Sequence, residues 1–152
     1  MDEWDALDDE SKSLVREAEK ALVLAYAPYS SFLVGAAMKL DNGQTVTGTN
    51  QENAAYPSGM CAERVALFAK ASVFPHATIR KIAIVAKRET QSSLLPVTPC
   101  GSCRQVLLEF ELRQGKPVEI IMQVADDQWI RVKSAADLLP YNFSKLNLDR
   151  NP

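Results

Sequence analysis

The sequence predicts an α/β domain, with helices layered on a mixed sheet. Three observations carry this. Segments with apolar residues at helical spacing alternate along the chain with short apolar runs of strand length. An Asp-Asn-Gly turn joins two of those runs as a hairpin. At 152 residues, with 47% hydrophobic and 24% charged side chains, the chain has the size and composition of one ordinary globular domain.

The elements follow in order. Leu14, Ala18, Leu22 and Ala25 share one helical face over residues 14–26, and Pro28 stops that helix near Ala27. "FLVGAAMKL" (32–40) and "QTVTGT" (44–49) are strands on either side of Asp41-Asn42-Gly43. "YPSG" (56–59) is a loop leading into a helix at "RVALFAKA" (64–71). "KIAIVAK" (81–87) is a nearly continuous apolar run, as expected of a strand buried on both faces. "CRQVLLEFEL" (103–112) is helical, with Gly115 beyond its end. "VEIIMQV" (118–124) and "WIRV" (129–132) are strands around Asp126-Asp127, and "SAADLL" before Pro140 is a last short helix. The five strands are expected to form a largely parallel sheet with one antiparallel hairpin. Residues 1–152 read as a single domain, with no repeat or linker and with polar, fraying tails at 1–10 and 145–152.

Charge narrows the function. The net charge is −2, and the longest basic run is the pair Lys87-Arg88. Neither supports a grip on a nucleic-acid backbone, so a small molecule is the expected partner. The first ten residues hold six acids, the reverse of a secretory leader, and "ALVLAYAP" (21–28) is too short to span a bilayer. Three cysteines without an export signal argue for reduced thiols and a cytoplasmic protein.

Those cysteines are the informative residues. Cys100 and Cys103, in "TPCGSCRQV", open one helix, and Cys61, in "GMCAERVALF", opens another. A helix N-terminus favours thiolates, and thiolates are zinc ligands. A closed structural zinc site takes four protein ligands, whereas a catalytic one keeps a position for water. No fourth cysteine exists, and the one histidine, His76, sits in a loop without ligand spacing. Three thiolates therefore predict an open Zn²⁺ site.

Glu63, two residues after Cys61, is the candidate proton carrier for water bound there. Three thiolates leave a divalent ion with a net charge of −1, which calls for a compensating cation. Arg64 is the first candidate and Arg104 the second.

"CAE" followed 39 positions later (100 − 61) by "PCGSCRQ" resembles the zinc-dependent cytidine deaminases, in the small homotetrameric type with three cysteine ligands. The resemblance runs from "YAPYSSFLVGAA" (26–37) to "LLPYNF" (138–143). It implies a three-layer α/β/α sandwich around a mixed five-stranded sheet. It also implies hydrolytic deamination of cytidine and deoxycytidine in pyrimidine salvage, with Zn²⁺ bound by Cys61, Cys100 and Cys103. In "TGTNQENAAYPSGMCAER" (47–64) it places Asn50 and Glu52 on the ribose 3′-hydroxyl, Tyr56 at a subunit boundary near the sugar, and the backbone around Ala62 on the base. Phe32 falls against the pyrimidine ring. The resemblance implies a homotetramer, with Tyr56 and the Phe143 region near the boundary between chains. Gln51 stands where the family often has an aliphatic residue.

Other chemistries compete for the same residues. A deaminase acting on an aminopyrimidine antibiotic or on a base in nucleic acid would use the same zinc site. A Cys100–Cys103 dithiol would leave Cys61 and Glu63 idle, and a structural zinc module would lack its fourth ligand.

Overall fold

The computed structural model describes residues 2–149. Its sheet has six strands in the order β1-β6-β5-β4-β2-β3. These are β1 (Asp2–Glu3), β2 (Phe32–Leu40), β3 (Thr45–Thr49), β4 (Ile79–Arg88), β5 (Glu119–Ala125) and β6 (Gln128–Val132). Helix α1 (Asp9–Ala21) covers one face, and α2 (Ala62–Val73) and α3 (Gly101–Gln114) cover the other; a single turn, α4 (Lys145–Leu148), follows. The three-layer α/β/α sandwich is thus present with six strands in place of five. Among the described residues no helix is long and apolar enough to cross a membrane.

Side chains alternate between the two layers as the pleat requires. Met38, Ile82, Ile84, Ile120 and Met122 face α2 and α3, while Ala37, Ala83, Val85 and Ile121 face α1. Two glycines permit close helix contact. A Cβ at Gly35 would lie 2.2 Å from the Ala18 carbonyl oxygen on α1, and one at Gly48 would lie 2.4 Å from the Ala62 carbonyl oxygen on α2.

Strand direction differs from the largely parallel expectation. Only β4 and β5 pair in parallel; β2–β3, β2–β4, β5–β6 and β1–β6 are antiparallel. The helical crossovers do join like-directed strands, β3 to β4 through α2 and β4 to β5 through α3. Strand β2 lies between β3 and β4, however, so the first crossover spans an antiparallel neighbour.

The N-terminal segment also differs from expectation. Asp2 and Glu3 pair with Trp129 and Gln128, and Trp4 packs on Trp129 with ring centroids 5.5 Å apart. Its acids are matched to basic residues: Asp2 to Arg131, Glu10 to Arg80, and both Asp8 and Glu10 to Lys81. Asp8 also caps α1 by accepting the Ser11 N–H, so the helix starts five residues earlier than the apolar spacing suggests. Of the expected C-terminal tail, 145–149 includes the turn α4, and 150–152 lie outside the described residues. "SAADLL" forms a 3₁₀ turn, Ala135–Leu138.

Candidate active site and metal centre

Two helix starts meet at one end of the sandwich. Cys61 is the N-cap of α2, Cys100 is the N-cap of α3, and Cys103 lies one turn into α3. Neither N-cap sulfur is spent on capping its helix. All three sulfurs lie within 4.8 Å of one another, with Cys61 Sγ and Cys100 Sγ 3.9 Å apart. Tetrahedral zinc with bonds of about 2.3 Å to sulfur spaces its ligands about 3.8 Å apart, so the cluster fits that ion. His76 lies in a different cleft.

The thiols share their protons unequally. Cys61 is pushed down to about 5, chiefly by a hydrogen bond from the Cys103 thiol, with Arg64 helping against the effect of burial. Cys103 is correspondingly pushed up, by the same hydrogen bond and by its burial. Binding a metal removes the remaining protons. Arg64 Nη2 donates to Cys61 Sγ at 3.4 Å. Arg104 points elsewhere: its Nε donates to the Pro99 carbonyl at 2.9 Å and its Nη1 to the Leu138 carbonyl. Arg64 is therefore the cation beside the sulfurs, and Arg104 holds loops.

Glu63, on the first turn of α2, is only 4% exposed. Burial is the main cause that raises its carboxyl above the ordinary range. A carboxyl so placed holds a proton more readily than an exposed one.

Above these residues opens a cavity of about 720 Å³, whose lining includes Phe32, Asn50, Glu52, Tyr56, Ala62 and Glu63. The chain after β3 continues extended, and Gln51 exchanges backbone hydrogen bonds with Met60, just before Cys61. Asn50 and Glu52, two apart on that extended stretch, both reach the cavity. Asn50 Oδ1 accepts the Val34 N–H at 2.8 Å, and its Nδ2 donates to the Phe32 carbonyl at 2.9 Å. Glu52 accepts from the Tyr29 N–H at 2.9 Å, the Ser30 N–H at 3.3 Å and the Ser30 hydroxyl. Those bonds, led by the Ser30 hydroxyl, hold its carboxyl below the usual range. Tyr56 stands at the mouth, edge-on to Tyr29 with centroids 6.1 Å apart. Gln51 also lines the cavity, and its side-chain amide donates to the Leu24 carbonyl and the Thr49 hydroxyl.

Sequence reasoning missed Tyr29 and Ser30, which orient Glu52 and line the cavity. The "PYSS" turn marks a loop but not which distant acid it receives. Phe143 does not line this cavity; its carbonyl accepts from Gln105 on α3.

Comparison with known proteins identifies the family. Residues 8–116 match the family model described as the cytidine and deoxycytidylate deaminase zinc-binding region. The chain is 41% identical to the cytidine deaminase of Sporosarcina psychrophila, covering 90% of this chain and 93% of the relative. It is 38% identical to that of Mycobacterium tuberculosis, covering 88% and 89%. The crystal structure of the cytidine deaminase from Burkholderia pseudomallei superposes with a TM-score of 0.73 at 34% identity, over 90% of this chain and all of that one. With its three cysteine sulfurs gathered within 4.8 Å at two helix starts, the chain belongs to the zinc-binding cytidine and deoxycytidylate deaminase family.

Proposed function

We propose that the chain hydrolyses cytidine and deoxycytidine to uridine and deoxyuridine with release of ammonia. The observation that carries this is the buried Glu63 carboxyl, two residues from a thiol cluster of zinc dimensions, in a cavity of the volume small-molecule sites have. Zn²⁺ held by Cys61, Cys100 and Cys103 would supply a water acidic enough to lose a proton near neutral pH. Glu63 takes that proton and passes it to ring N3 as the water oxygen bonds to C4. It then carries the water's second proton to the amino group, and the C4–N bond breaks to release ammonia. One carboxyl acts first as base and then as acid. Arg64, donating to Cys61, offsets the surplus negative charge of three thiolates.

Substrate contacts follow from the lining. Phe32 packs on the pyrimidine and the backbone at Ala62 meets the base. Asn50 and Glu52 hold the 3′-hydroxyl. Each keeps capacity for it: both polar atoms of the Asn50 amide can form a second hydrogen bond, and the Glu52 carboxylate has about four acceptor positions with three in use. Loss of the cytosine absorbance on incubation with cytidine tests the activity. Free cytosine should react poorly, and Glu52→Gln should raise KM for cytidine about tenfold or more, the worth of a charge-assisted hydrogen bond. Equal efficiency on cytosine and cytidine would remove the role given to both residues.

We infer a single domain over 1–152, supported by one sheet that both helix layers share. We further infer a homotetramer in which a neighbouring chain closes each cavity. Tyr56 and Phe143 support it, being 77% and 60% exposed apolar surface in one chain. Sedimentation should give the mass of four chains, and a fully active monomer would defeat the assignment. Three uncrosslinked thiols support a reducing, cytoplasmic setting; recovery in an exported fraction would overturn it.

A further inference from the structure

The far ends of α2 and α3 enclose a second cleft of about 240 Å³, opposite the zinc end of the same helices. Its charged lining is Lys70 and Arg113, and His76 lines it too; among the described residues no aspartate or glutamate does. Lys70 is only 6% exposed, yet among the described residues it forms no ion pair. Arg113 forms none either, and its guanidinium carbon lies 5.0 Å from the centroid of the Phe110 ring.

The neutral groups around them are already engaged. The Gln114 amide is used by the backbone of Ile79 and Lys116, and the Thr78 hydroxyl donates to Asp41. Asp41 draws on Lys70 less than burial and Arg113 oppose its charge. A last-turn lysine also complements the helix dipole, but an exposed one does so equally and without the cost of burial. A lysine this covered is less well solvated than an exposed one, and with no anion beside it a second cation nearby adds to the cost of its charge.

We infer that this cleft binds a phosphate-sized oxyanion, held by the Lys70 ammonium and the Arg113 guanidinium. Lysine offers three donors around a point charge, and arginine offers a planar fork that matches two phosphate oxygens. The cleft has room for the phosphate of a small monoester as well as for free phosphate. An occupant would sit at the C-terminal ends of the two helices whose first residues carry Cys61 and Cys100. The inference does not depend on the deaminase reading.

Calorimetric titration of the full-length, zinc-loaded protein tests it, with inorganic phosphate and ribose 5-phosphate as probes and ribose as the neutral control. Saturable binding of either phosphate, without binding of ribose, is expected. Binding of ribose 5-phosphate alone would identify a monoester as the ligand. Lys70→Met, which keeps the side-chain volume, and Arg113→Gln at an exposed position should each weaken binding at least about tenfold. Thermal melting of each variant checks that the fold is intact. Absence of saturable binding in the parent, or unchanged affinity in both variants, would overturn the inference.

Discussion

Glu63→Ala should retain its zinc and its fold while losing turnover of cytidine. The substitution removes a buried carboxyl whose proton affinity burial has raised, and it leaves all three sulfurs in place. Stability should match or slightly exceed the parent, because a desolvated ionisable group has been deleted. Turnover should fall by at least about 10²–10⁴, the contribution of one general acid–base group, and by more if every proton passes through this carboxyl. Zinc content, melting temperature and the single-turnover rate on cytidine are the measurements. Near-normal turnover would refute the proton-shuttle role, and loss of zinc would make Glu63 a ligand.

Cys100→Ala should behave in the opposite way, with zinc content and stability falling together. Cys100 stands at the N-cap position of α3 and contributes one of the three sulfurs, so its loss breaks the ligand set through which a metal would tie that helix start to α2. Metal that binds only the folded chain contributes its binding energy to folding. Each kcal/mol lost lowers the melting temperature of a chain this size by about 2–4 °C. A drop of several degrees, with much less than one zinc per chain by elemental analysis, is the expected result. Full zinc occupancy in the variant would show that Cys100 is not needed to hold the metal.

The fold was legible wherever burial imposes a local period. Strand β2 occupies the residues its pattern marks, and α2 and α3 begin where the cysteines suggested, because helix starts and alternating faces are written over a few neighbouring positions. Strand β1 was not legible. Two acidic residues carry no strand pattern, and their place is set by Trp129, Gln128 and Arg131 at the far end of the chain. Nor does any short window show that β2 lies between β3 and β4, so strand direction was misjudged. The site divides in the same way. Cys61, Cys100, Cys103 and Glu63 declare themselves by type and spacing. Asn50, Glu52 and Phe32 needed the family resemblance, because what orients Asn50 and Glu52 lies 16–23 residues away in the chain.

Gly48 shows that chemistry can depend on missing atoms. The Ala62 carbonyl fills the space where a side chain at position 48 would stand, and Ala62 lies between Cys61 and Glu63. Strand β3 therefore acts as a template for the metal ligand and the proton carrier together, fixing both by bare contact with α2. Position 48 does not line the cavity and carries no reactive group, yet the spacing between ligand and base is referenced to it. An inventory of reactive side chains would pass over it, because its contribution to the active site is an exclusion of volume.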